Sequence, residues 1–263
     1  MDKIKKLAHV SIPFHMLKDK YLGFIIGEGI NPEIGFDAPT LDHLSSSELA
    51  GIAKKLHGRG LSVTFHAPFV DLSAGSSDSA IREVTKRRFE QLLEIVPLFK
   101  PKTIVCHAGY DSKRYGYFRE VWIEKSIKIW SWLGAAIKNE GGTLMLENVY
   151  EYSPDDIKII FENLERENVR FCLDTGHQSA FSKSSLDKWL ETLSPFLGQL
   201  HLHDNRGFAD EHLGMGLGNI DFKKFFVDLK ALRDTPPVIT LEPHREEDLP
   251  VSLKYLEEIW PWE

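Results

Sequence analysis

Two histidines, His201 and His203, alternate with Leu200 and Leu202 in the run QLHLHD, and Asp204 closes it. In an extended strand, side chains two apart leave the same face, so both imidazoles point one way and both leucines the other. Similar apolar runs end in similar residues elsewhere. LSVTFHA carries His66, KTIVCHA carries His107, TLMLEN carries Glu147, VRFCLD ends at Asp174 with His177 three residues on, and VITLEP carries Glu242. A later segment, DEHLGMGLGN, adds Asp210 and His212. Imidazoles and carboxylates are the side chains that hold divalent ions such as Zn²⁺, Mn²⁺ and Mg²⁺. Carboxylates crowded into one space repel unless they are protonated or neutralised by cations. One ion takes about four to six ligands, so Glu147, Asp174, His201, Glu242, His66, His107, His177, Asp210 and His212 imply two or three ions. The alternative is one ion, with the surplus side chains left for substrate.

The elements that must position these groups are legible as eight short β-branched or aliphatic runs. They fall at 7–12, 32–37, 61–67, 102–108, 143–148, 169–174, 199–204 and 238–243. Segments with helical periodicity lie near 46–58, 79–99, 119–140, 154–167, 185–193, 221–232 and 246–259, several opened by capping residues such as Ser153 and Asp221. Eight strands alternating with helices predict an α/β fold, a single (β/α)8 TIM barrel spanning residues 1–263 as one domain. An open doubly wound sheet is the second choice, but SIPFHM stands after the first strand where a glycine-rich turn is expected. The first two units are the least regular, because no clean helix is evident in YLGFIIGEGINPEIGFD.

Alternation then sets direction. In the third, fifth, seventh and eighth strands the aliphatic residues share one face, while His66, Glu147, His201 and Glu242 lie on the other. Barrel active sites sit at the C-terminal strand ends, so these residues are expected to converge on one mouth. GMGLGN lacks the Lys-Ser/Thr ending of a phosphate loop and reads as a plain turn.

Composition narrows the function classes. The 39 acidic residues outnumber the 32 basic ones, for a net charge of −7, so no global field recruits nucleic acid. One local mixture, DSKRYGYFRE, interleaves Lys113, Arg114 and Arg119 with Tyr115, Tyr117 and Phe118, a set able to stack on a base or sugar. No apolar run approaches the roughly 18 residues of a membrane span. Cys106 and Cys172 both sit in apolar runs, as unpaired core thiols do in a reducing compartment, and a cytoplasmic location is expected.

The ordered motifs FHAP, CHAG, LEN, LDTGH, HLHD, DEH and LEP, spread over about residues 60–245, resemble the xylose isomerase-like barrels. That family includes sugar isomerases and epimerases and the endonuclease IV-type AP endonucleases. The resemblance implies that Glu147, Asp174, His201 and Glu242 match the four ligands of the mononuclear sugar enzymes. It also implies that His66, His107, His177, Asp210 and His212 match the further positions by which endonuclease IV holds three zinc ions. Matching HLHD to the family pattern assigns His201 to metal and leaves His203 nearer the rim, for substrate or for orienting a ligand. A shift of the match by one step exchanges the two. Arg206 stands where it could reach a substrate hydroxyl or phosphate.

Three functions follow as expectations. The first is a divalent-metal-dependent sugar or sugar-phosphate isomerase or epimerase, in which Glu147 and Glu242 move a proton through an enediolate. The second is an endonuclease IV-type zinc phosphodiesterase, and the third a non-catalytic metal- or sugar-binding barrel. Multiple ligands favour the second; the acidic charge and the absence of DNA-type loops favour the first. A small sugar is therefore the expected partner, with nucleic acid the less favoured one.

Overall fold

The structure, a computed structural model, describes residues 2–262. Eight parallel strands among them close into a barrel in chain order. They are β1 (Ala8–Pro13), β2 (Asn31–Gly35), β3 (Thr64–His66), β4 (Thr103–His107), β5 (Thr143–Glu147), β6 (Val169–Asp174), β7 (Leu197–Leu202) and β8 (Val238–Leu241). Closure comes from β1 pairing with β8 through Ala8–Ile239, His9–Thr240 and Val10–Leu241. The outer helices include Ser46–Gly58, Ser79–Phe99, Arg119–Asn139, Leu186–Leu193, Phe222–Leu232 and Asp248–Ile259. The side chains of Asp78, Ser185 and Asp221 accept from backbone N–H groups at three of these N-termini.

Alternation sorts the core as the pattern requires. Leu144, Leu146, Leu200, Leu202, Ile239 and Leu241 join the apolar layer between strands and helices. Val105, Met145 and Cys172 form a separate small cluster. Much of the remaining barrel lining is polar and fully buried, with Glu33, Thr64, Gln199, His201 and Thr240. Both cysteines are buried and unpaired.

Three expectations about elements change. A helix, Leu22–Glu28, does separate β1 from β2; it buries only Ile25, which leaves little apolar periodicity to detect, and Gly29 ends it in the left-handed conformation. β3 is shorter than the run 61–67, because Ser62 N–H is taken by the Asn31 side chain rather than by a strand. The segment 154–167 is not one helix: α-helix Lys158–Leu164 lies between 3-10 turns at Pro154–Asp156 and Glu165–Glu167.

Candidate metal centre

The nine ligand-type residues lie together at one barrel end, and His203 joins them. Three sets of donors form, the donor atoms within each lying no more than 4.8 Å apart: His66–His107–Glu147, Glu147–Asp174–His201–Glu242, and His177–His203–Asp210–His212. Glu147 belongs to two sets. Its Oε2 lies 3.2 Å from His66 Nε2 and 3.6 Å from His107 Nε2, while Oε1 lies 3.1 Å from His177 Nδ1 and 3.4 Å from His201 Nδ1. Glu242 Oε1 approaches His201 Nδ1 at 3.2 Å, so the two glutamates flank one imidazole nitrogen. Asp210 lies 3.3 Å from His177 Nε2 and 3.1 Å from His212 Nε2.

Backbone carbonyls orient several rings. Nδ1 of His66 lies 2.9 Å from Ala67 O, that of His177 3.1 Å from Asn148 O, and that of His212 3.1 Å from Glu242 O. A carbonyl only accepts, so each Nδ1 carries a proton, and Nε2 is the atom that would serve as ligand once the ring is neutral. His201 is turned the other way: its Nε2 lies 3.0 Å from Glu33 and its Nδ1 faces the glutamates.

This donor set fits divalent ions. His201 Nδ1, His203 Nδ1 and Asp210 Oδ1 are buried without a hydrogen-bond partner, a costly condition that a bound cation relieves for donors aimed at it. The carboxylates also hold their charge against the barrel interior. Burial opposes ionisation of Glu147, yet His201, His107 and His177 keep its carboxyl well below the usual range. Asp174 behaves likewise, with His177 and His203 outweighing burial. Burial pushes His107 down to about 3, so that ring is a neutral ligand at pH 7. His177 and His201 are held well above 6.5 despite burial, through the surrounding acids, so protons supply positive charge where ions would otherwise bring it.

His203, expected nearer the rim, is fully buried; its Nε2 lies 3.1 Å from Asp174 and 3.7 Å from Asp210. Its ring stacks on His212 at 3.8 Å, and His212 stacks on His244 at the same distance. Arg206 is more than half exposed and bound to Glu211 by backbone and guanidinium, away from the donors' contacts. In the aromatic-basic segment, Tyr117 is fully exposed, whereas Tyr115 is tied to Ser73 and Arg119 to the Asp155 carbonyl. Phe69, half exposed, lies against His107 with ring centroids 4.2 Å apart.

Several positioning residues escaped the sequence reading. Asp204 is fully buried and accepts four backbone N–H groups, from Asn205, Gly216, Gly218 and Ile220, which folds GMGLGN around its carboxylate and fixes the loop carrying Asp210 and His212. A Cβ on Gly218 would lie 2.3 Å from Asp204 Oδ1, and one on Gly176 would lie 1.9 Å from the His203 ring. Asn148 clasps Asp174, donating to its carbonyl and accepting from its N–H. Glu33 is the most consequential: a carboxylate in mid-strand among buried neighbours is a legible signal, but its distance from the strand end hid it.

The same arrangement of strands has counterparts among known proteins. The family model described as xylose isomerase-like TIM barrel matches residues 32–259. The chain belongs to that family. A curated relative, the uncharacterized protein MJ1614 of Methanocaldococcus jannaschii, is 32% identical over 205 residues, covering 76% of this chain and 78% of the relative. Among solved structures, the TTHB071 protein of Thermus thermophilus, soaked with ZnCl2, superposes with a TM-score of 0.81 at 21% identity, covering 97% of this chain and 98% of its own. A D-tagatose 3-epimerase-like protein also gives 0.81 at 21% identity, with 95% and 96% covered. At these identities the superpositions establish a shared fold. Among the described residues, no helix is long and apolar enough to cross a membrane.

Proposed function

We propose that this member of the family is a multinuclear, divalent-metal-dependent hydrolase of small phosphate esters. The observation that carries the reading is Glu147, whose Oε2 faces His66 and whose Oε1 faces His201, members of different donor sets. A carboxylate engaged at both oxygens would suit a ligand shared between two sets better than a general base, which must reach the substrate. His66 and His107 would hold an ion on one side of Glu147, and Asp174, His201 and Glu242 one on the other. His177, His203, Asp210 and His212 form the third set, and zinc suits its imidazole-rich composition. When bound, clustered divalent ions stabilise both the attacking and the leaving oxygen of an in-line displacement.

Three cations of the loops are paired with acids. Lys20 pairs with Glu246, Arg206 with Glu211 and Arg245 with Asp248, which leaves little to track a long polyanion and favours a small ester over a duplex. The unpaired, buried cysteines suit a reducing, cytoplasmic setting.

A second reading, the metal-dependent sugar or sugar-phosphate isomerase or epimerase working through an enediolate, rests on Glu147 and Glu242 flanking His201 Nδ1. Two carboxylates so placed could pass a proton between neighbouring carbons of a ketose around a single ion in the middle set, with the outer histidines meeting hydroxyls. The test is metal content per chain, followed by incubation of the metal-replete protein with chromogenic phosphate mono- and diesters, an abasic-site duplex, and a panel of ketoses and their phosphates. Two or three ions with ester hydrolysis support the first reading. One ion with ketose isomerisation and no hydrolysis replaces it with the second, and efficient incision of the duplex would overturn the preference for small esters.

A further inference from the structure

Glu33 lies on β2, and its carboxylate is fully buried inside the barrel. Placing a charge there is expensive unless every lone pair has a purpose. The surrounding residues divide its two oxygens sharply. Oε2 accepts three hydrogen bonds, from Thr64 Oγ1 at 2.9 Å, Gln199 Nε2 at 2.7 Å and Thr240 Oγ1 at 2.9 Å. Oε1 is buried without an aligned hydrogen bond from any group and lies in ion-pair contact with His201 Nε2, 3.0 Å away.

The neighbouring amide cannot substitute for the imidazole proton. Gln199 Nε2 also lies 3.3 Å from His201 Nε2, but its two hydrogens have closer acceptors, Glu33 Oε2 and Thr240 Oγ1, the latter 3.1 Å away. Gln199 itself is held by Thr103, whose hydroxyl donates to Gln199 Oε1 at 2.6 Å. Lone pairs on both His201 Nε2 and Glu33 Oε1 would repel across 3.0 Å, so Nε2 must carry the hydrogen. When a bound ion displaces the second proton of the ring, that would leave Nδ1, which faces Glu147 and Glu242 without an aligned hydrogen bond, as the lone-pair donor.

We infer that Glu33 is a positioning residue for the metal centre: it fixes His201 in the Nε2–H tautomer and raises the basicity of Nδ1 as the imidazole donor of the Glu147–Asp174–His201–Glu242 set. The other oriented rings donate Nδ1–H to neutral carbonyls and face the donors with Nε2. His201 reverses both features, with a full negative charge behind it. A charged acceptor polarises the imidazole more strongly than a carbonyl does, and partners behind a ligand typically change metal affinity 10–100-fold. Glu33 thus sets the middle donor set apart from its two neighbours. The inference rests on the metal-binding part of the proposed function but applies to both the hydrolase and the isomerase readings.

The test combines zinc titration with ¹⁵N-histidine NMR. In the zinc-loaded wild type, His201 should show a protonated Nε2 and a metal-bound Nδ1; the opposite tautomer overturns the inference with no variant needed. Glu33→Gln should weaken one class of zinc site by about 10–100-fold and leave the other sites within about twofold. Thr64→Val, which removes a donor to Oε2 only, should leave both the tautomer and the affinity close to wild type. Circular dichroism of each metal-free variant establishes that the barrel is intact. A wild type that binds no divalent ion would defeat the metal-centre reading and this inference together. Normal zinc binding that Glu33→Gln leaves unchanged would defeat the inference alone.

Discussion

Replacing Asp204 with asparagine should detach one donor set while leaving the barrel folded. Oδ1 accepts from Asn205 N at 2.9 Å and Ile220 N at 3.1 Å, and Oδ2 from Gly216 N at 3.0 Å and Gly218 N at 2.9 Å. Asparagine matches the shape but has one acceptor oxygen. If that oxygen keeps the Oδ1 partners, the amide nitrogen faces the Gly216 and Gly218 N–H groups, donor against donor. Two hydrogen bonds to a charged acceptor are worth about 1.5–3 kcal/mol each, so the local cost is about 3–6 kcal/mol. At about 1.4 kcal/mol per tenfold, opening of this loop should become at least about 10²-fold more frequent. The strain falls on the loop and not on the sheet, because β7 ends at Leu202. Amide hydrogen exchange should therefore speed up by that factor at Gly216, Gly218 and Leu213, whose N–H bonds to the Asp204 carbonyl. Strand amides such as those of Leu144 and Leu200 should hold their protection. Since the loop carries Asp210 and His212, zinc titration should show one site weakened or lost. Wild-type exchange at Gly216 and Gly218 in the Asp204→Asn protein, with full zinc stoichiometry, would refute this account of how the loop is held.

Glu147→Gln should fold, yet lose turnover and weaken two zinc sites together, because one side chain serves two donor sets; loss of a single site in a zinc titration argues against the shared ligand. Chelation should lower the melting temperature, since ions bound only to the folded barrel add about 2.7 kcal/mol per site at a hundredfold excess over Kd, and identical calorimetric melts with and without EDTA would contradict a folded-state metal centre. Fluorescence anisotropy should detect no salt-sensitive duplex binding at low salt, given the cations paired with Glu211, Glu246 and Asp248. Burial raises the Glu151 carboxyl from 4.5 to about 7, although the Val149 and Tyr110 amides bond to it. Its folded-state value exceeds the unfolded one, so its contribution is full below about pH 4.5 and fades as pH rises through 7, a change of about 3 kcal/mol. Urea unfolding at pH 5 and pH 8.5 should accordingly show a smaller pH dependence for Glu151→Gln than for the wild type.

What the sequence determined by itself was whatever depends on neighbours a few residues apart. Period-two alternation put Leu144, Leu146, Leu200 and Leu202 on one face and Glu147 and His201 on the other, and it needs no knowledge of distant strands. Strand count and helix spacing likewise implied the closed barrel, and family motifs picked out nine of the ten residues in the three donor sets as metal ligands. The helix Leu22–Glu28 was illegible because a helix that buries one side chain leaves no periodic signature. Only the tertiary structure decided how the donors partition, because that depends on the stagger between strands dozens of residues apart. It divided the oxygens of Glu147 between His66 and His107 on one side and His177 and His201 on the other. It turned His203 inward against Asp174, showed that Asp204 holds a loop, and brought Glu33, 168 positions before His201, to within 3.0 Å of its ring. Alternation tells which way a side chain points, but a hydrogen bond or an ion also requires the partner's distance, and closure of the barrel supplies that.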